Sequence, residues 1–186
     1  MPKITGGSLE AHRAQTRRRV FEALVTLLDR SSFDAISMAD LAAEAGVGRT
    51  AIYNHFPDKD AVIVGFASSE TDAYLERLAG VLEGLTDPVE RMRAYVRHHI
   101  DTQGEQHFGF GPEIYAQLSD EARLLIRDHV RDVESVVRGI VVDGIASGDF
   151  RDAPVDQVIR LVQACLQPRL VGADVVADFV VHALRP

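Results

Sequence analysis

Residues 37 to 56 decide the fold: Ser37-Met38-Ala39-Asp40-Leu41-Ala42-Ala43-Glu44-Ala45-Gly46-Val47-Gly48-Arg49-Thr50-Ala51-Ile52-Tyr53-Asn54-His55-Phe56. Ser37 has the hydroxyl that caps free N–H groups at a helix start, and Asp40 supplies the acidic third position of a capping box. Met38, Leu41, Ala42 and Ala45 fall on one inner face. Gly46 offers the positive φ that ends a helix. A second short helix follows at once, from Gly48 to about His55. Two short amphipathic helices joined by a tight glycine turn form a helix-turn-helix. Val47, Ile52 and Phe56 point inward, which leaves Gly48, Arg49, Thr50, Tyr53, Asn54 and His55 outside.

The outward set has groove-reading chemistry. Arginine grips guanine O6 and N7, asparagine pairs with adenine, and threonine meets a base or a phosphate. Tyr53 and His55 suit phosphate contact, and Lys59 sits at a helix start where backbone N–H groups attract anions. Ser37, at the start of the first helix of the pair, joins the candidate DNA-facing residues. Taken alone, a helix–glycine–helix also occurs in helical proteins that never meet DNA, and exposed Arg, Asn and Thr are ordinary surface residues.

Outward from this stretch the chain reads as all-α, with about nine helices and no strand pattern. A first helix spans about Leu9 to Asp29, with Val20, Phe21, Leu24, Leu27 and Leu28 as its apolar stripe. Asp58 caps a fourth helix running to about Gly84, with Val62, Phe66, Tyr74, Leu78, Val81 and Leu85 inward. Asp87-Pro88 is a cap followed by proline at the first helical position. A glycine-rich break covers 104–112. Ser119 caps the longest helix, whose buried stripe is read as Ile126, Val130, Val133, Val137, Ile140, Val141 and Ile145, and Gly148 ends it. Two last helices lie near Val155 to Leu166 and Ala173 to Leu184. The expected division is a three-helix helix-turn-helix domain over 1–57 and a helical bundle over 58–186.

The stretch through residue 62 resembles the TetR family of bacterial regulators. The residues that carry the likeness are Leu41-Ala42, Ala45-Gly46-Val47, Ile52-Tyr53, His55-Phe56, Lys59-Asp60 and Val62. The strong pattern covers about residues 13–64; beyond it the likeness is in helix count and layout, with 144–151 like the family's end to its long helix. Three positions depart. Gly48 stands where the family usually has serine, Ala51 where threonine is frequent, and Thr50 where glycine is frequent. The resemblance implies a one-component transcriptional regulator, most often a repressor. It implies a homodimer through the last two helices, bound to a pseudo-palindromic double-stranded DNA operator and released by a small-molecule effector. The alternative is a helical DNA-binding or scaffold dimer with no small-molecule ligand.

The net charge of −8 argues at face value against nucleic acid, but its distribution weakens the objection. Residues 1–60 hold eight basic and eight acidic side chains, so the whole excess lies beyond residue 60. Local field, not total charge, governs approach to DNA. Arg17, Arg18 and Arg19 fan around their helix and cannot all share a face. The readings open for them are phosphate contact, above all by Arg17, and pairing with Glu22.

In the bundle, the ligand-lining candidates are Met92, Val96, His99, His107, Phe108, Phe110 and Tyr115. For His99 a hydrogen-bonded core histidine is the favoured reading over a ligand contact, and for Phe108 and Phe110 ordinary packing is. The stripes Val158, Ile159, Val162, Leu166 and Val175, Val176, Phe179, Val180 are apolar enough for a four-helix interface between two chains. The histidines have no i, i+4 partner, so no metal site is expected. There is no His-Glu-x-x-His, nucleophile elbow or phosphate-binding glycine loop, so neither an enzyme with catalytic residues nor a cofactor is expected. The single cysteine, Cys165, and the lack of a signal sequence or membrane span lead to the expectation of a reducing, cytoplasmic home.

Overall fold

The computed structural model describes residues 6–102, 112–167 and 171–186. They form nine α-helices and one 3-10 turn, with no strand among the described residues. The helices are α1 Gly6–Leu28, α2 Met38–Glu44, α3 Arg49–His55, α4 Lys59–Leu82, α5 Pro88–Thr102, α6 Pro112–Gln117, α7 Asp120–Ser147, α8 Val155–Cys165 and α9 Ala173–Leu184. The 3-10 turn, Phe33–Ala35, stands between α1 and α2.

Local chemistry sets most boundaries. Ser37 and Asp40 close a complete capping box: the Ser37 hydroxyl accepts from the Asp40 amide, and the Asp40 carboxylate accepts from the Ser37 amide at 2.9 Å. Asp58 accepts from the Ala61 amide at 2.8 Å and starts α4. Asp87 accepts from the Val89 amide at 2.9 Å, with Pro88 as the first residue of α5. Ser119 receives the Ala122 amide at the start of α7.

The described residues divide into two units, one of 6–67 with 112–126 and one of 68–102 with 127–167 and 171–186. This division differs from one placed at residue 57. The reason is packing: Val62, Ile63 and Phe66 of α4, with Leu118 and Ala122 from the α6–α7 corner, are buried in the same core as α1, α2 and α3. The core of the second unit is built from Tyr74 and Leu78 of α4, Met92, Tyr95 and Val96 of α5, Val137, Ile140 and Val141 of α7, and the inner faces of α8 and α9.

Three expected core positions are open. Val81 and Val130 are 42% and 58% exposed, and Leu85 is also exposed. Val81 and Val130 follow the apolar period of their helices, but period fixes a face without providing a neighbour opposite it; Leu85 lies beyond the end of α4. The terminal stripes also need revision. Val158, Ile159, Val162, Leu166, Val176 and Val180 are buried within the chain itself, whereas Val175 and Phe179 are exposed. Leu161 of α8, not in the expected stripe, is also exposed. No helix among the described residues is long and apolar enough to cross a membrane.

Candidate nucleic-acid interface

Helix α3 is held from beneath by Ile52 and Phe56, both buried against α1 and α4 residues of the first core. With those two residues inward, Arg49, Thr50, Tyr53 and Asn54 are exposed and His55 is half-buried at the end of the helix. The Arg49 guanidinium lies 5.7 Å from the Tyr53 ring centroid, one turn along the same face. A cation over an aromatic face restricts a long side chain without neutralising it. Gly48 occupies the N-cap with no side-chain hydrogen bond.

The turn between α2 and α3 is fixed by a distant residue. Gly46 adopts φ +61°, and its carbonyl accepts a 2.8 Å hydrogen bond from Arg19 Nη2 of α1. This decides the arginine cluster. Arg19 supports the turn, Arg18 lies 3.8 Å from Glu22, and Arg17 rests over the rings of Phe56 and Phe21. Arg17 and His55 therefore approach the same end of α3. Burial first, then the charges of Arg13, Arg17 and His12, hold the His55 imidazole below its ordinary value.

Two residues expected to face DNA have internal partners. Lys59 Nζ donates to the Phe33 carbonyl at 2.9 Å and lies 4.6 Å from the Phe33 ring centroid. Ser37 is spent on the capping box, its hydroxyl donating to Asp40 at 2.6 Å. Both residues position α2 and the turn before it. Sequence reasoning could not find the Lys59 and Arg19 contacts, since each joins residues more than twenty positions apart. It also gives no role to Arg13 and His12, which act electrostatically on His55.

The expected ligand-lining residues are not gathered at one described place. Met92 and Val96 are fully buried in the second core. His99 places Nδ1 3.1 Å from the Tyr74 hydroxyl, and its imidazole is held below its ordinary value by burial and then by His98. Tyr115 packs in the first unit beside Arg123, whose Nε donates to the Tyr115 carbonyl at 3.0 Å. His107, Phe108 and Phe110 lie outside the described residues. His98, against the Tyr74 ring at 5.1 Å, leaves its buried Nε2 without a hydrogen bond among the described residues. No group of three or more His, Cys, Asp or Glu able to hold a metal occurs among the described residues.

The comparisons agree with this architecture. The model of the bacterial regulatory proteins, tetR family, matches residues 20–64, and that of the tetracyclin repressor-like C-terminal domain matches residues 88–171. The chain is 33% identical over 82 residues to nucleoid occlusion factor SlmA of Shewanella frigidimarina, a match spanning 44% of this chain and 42% of that relative. The chain thus matches less than half the length of that curated relative. Among solved structures, the TetR family transcriptional regulator PfmR of Thermus thermophilus superposes with a TM-score of 0.71 at 23% identity, covering 90% of this chain and 100% of that one. A putative transcriptional regulator from Saccharomonospora viridis, solved with choline, gives 0.69 at 20% identity over 93% and 99%. Likeness at these identities is likeness of fold.

Proposed function

The chain belongs to the TetR family of bacterial regulatory proteins, and we propose that it is a homodimeric repressor released from a pseudo-palindromic operator by a small-molecule effector. The family makes it a DNA-binding transcriptional regulator with a helix-turn-helix, not an enzyme. The finer reading rests on one observation: Arg49, Thr50, Tyr53 and Asn54 share the exposed side of α3 while Ile52 and Phe56 anchor its back. Two such helices in a dimer reach successive major grooves about 34 Å apart. Arg49 and Asn54 read base edges, while Thr50, Tyr53, His55 and the N-terminal end at Gly48 hold the backbone. Arg17 adds a phosphate contact; Ser37 and Lys59 act by positioning α2. The site of action is the cytoplasm.

The effector reading draws on the bundle. The Saccharomonospora viridis relative carries choline, and in this chain His99, Tyr74 and Tyr95 put polar groups among apolar neighbours of α4 and α5. A ligand that prefers one separation of the two reading heads shifts the population away from the DNA-bound form. The second reading, a dimer without a ligand, is favoured by the complete burial of Met92 and Val96. Selection from a random duplex pool tests the DNA reading: an inverted repeat should emerge, and Arg49→Ala should weaken its binding more than non-specific binding. Absence of any enriched sequence overturns it. A thermal-shift screen of small molecules separates the two effector readings, because a ligand bound to the native state raises the melting temperature.

A further inference from the structure

Arg13 and Arg17 stand one turn apart on the same face of α1. Arg17 seats its guanidinium 5.3 Å from the Phe56 ring centroid and 5.7 Å from that of Phe21. This seat brings the α1 cations to the C-terminal end of α3, where His55 is half-buried. The charged and titratable groups that act on His55 are Arg13, Arg17 and His12, all from α1, with no carboxylate among them.

The neighbouring arginines behave differently. Arg18 faces Glu22 and Arg19 is bonded to the Gly46 carbonyl. In the second unit Arg91, Arg93, Arg97 and Arg138 each meet an aspartate or glutamate. Arg13 and Arg17 form no ion pair among the described residues. A set of converging cations without a counter-charge is stabilised when a polyanion arrives.

We propose that His12, Arg13 and Arg17 of α1 form, with His55, a clamp for a phosphate of the DNA backbone, and that closing the clamp takes up one proton on His55. The proposal rests on the DNA-binding reading above and extends it to residues that precede the matched stretch 20–64. In the free protein, burial and the neighbouring guanidinium groups of Arg13 and Arg17 disfavour the imidazolium. A phosphate set among those cations reverses the local field and favours it. The proton comes from solvent, so the complex tightens as pH falls. One linked proton limits the effect to about tenfold in affinity per pH unit.

The test is fluorescence anisotropy with a labelled mixed-sequence duplex at constant ionic strength, from about pH 5.5 to about pH 8, the range in which histidine titrates. The wild-type affinity should fall several-fold as pH rises, and His55→Gln should flatten that profile. Arg13→Ala, at an exposed position that cannot disturb the core, should lower the slope of log affinity against log salt by about one. Arg160→Ala, on the exposed side of α8, should leave that slope unchanged. A flat wild-type profile, pH dependence that survives in His55→Gln, or an unaltered salt slope in Arg13→Ala overturns the clamp and leaves DNA binding standing. A wild-type chain that binds no duplex at any pH overturns the DNA-binding reading and the clamp with it.

Discussion

Arg19 reaches across from α1 to donate to the Gly46 carbonyl at 2.8 Å, and a Cβ placed on Gly46 would come within 2.6 Å of the same guanidinium nitrogen. The turn of the helix-turn-helix is thus fitted to a residue 27 positions earlier. Gly46→Ala meets two difficulties, displacement of the Arg19 head and a φ of +61° that costs a side-chain-bearing residue about 1–2 kcal/mol. Arg19→Ala removes only an exposed charged hydrogen bond, at about 1 kcal/mol. Urea denaturation should therefore rank Gly46→Ala as the more destabilising. Equal losses would mean that the backbone at Gly46 relaxes freely.

Gly48 allows a substitution in the opposite direction. It holds φ −66° and ψ 149° at the N-cap of α3, with nothing within 4 Å of an added Cβ. Serine fits that backbone and supplies the missing acceptor for the first turn. Gly48→Ser should raise stability by a few tenths of a kcal/mol, the usual difference between the two caps. A lowered denaturation midpoint would show that the glycine is needed for a reason outside the cap.

What could be read in the sequence was what neighbours along the chain decide. Ser37-Asp40, Asp58, Asp87-Pro88 and Ser119 start their helices where their side chains require, because a cap and its amide are two or three residues apart. The outward set on α3 followed from Ile52 and Phe56 by the same local geometry. The interior partners of Lys59 and Arg19 depended on which segments meet in space, so both cations remained readable as phosphate ligands. α9 presented a different ambiguity. Val175 and Val176 are adjacent and equally apolar, and only the packed chain shows that Val176 is buried and Val175 is not.

Gly144 is constrained by its neighbour's ring. An added Cβ would lie 2.1 Å from Phe150 Cδ2, and the Phe150 amide donates to the Gly144 carbonyl at 2.9 Å. The ring is buried in the second core and cannot swing away without leaving a void. Gly144→Ala should cost about 1–3 kcal/mol, the range for overpacking. A companion Phe150→Leu should recover part of the loss in the double variant if the ring is the obstacle.

The acid side of the stability profile should report on His99. Burial and the neighbouring His98 hold its imidazole below the ordinary value in the folded chain. The unfolded chain therefore binds the proton more readily, and stability falls as pH drops through the unfolded value of about 6.5 towards the lower folded one. Burial acts in the same direction on His98 and His55. Melting temperature should decline from pH 7 to pH 5, and less steeply in His99→Gln, which keeps a polar partner for the Tyr74 hydroxyl but cannot take the proton. An equally steep decline would assign the acid sensitivity to other groups.

Leu161 of α8 and Val175 and Phe179 of α9 are 68%, 62% and 64% exposed, although most other apolar residues of these helices are buried. Val175 and Phe179 stand one turn apart on one face. Large apolar side chains left on the outside of two terminal helices are what a symmetric interface between two chains uses. Phe179 is far from any core role, so Phe179→Asp combined with Leu161→Asp should preserve helicity while converting a dimer to a monomer in sedimentation velocity. The loss of the second reading head should weaken binding to an inverted-repeat duplex much more than binding to a half-site. A double variant that still sediments as a dimer places the interface on another face of the bundle, and then the exposed side of α7, with Val142, is the next surface to alter.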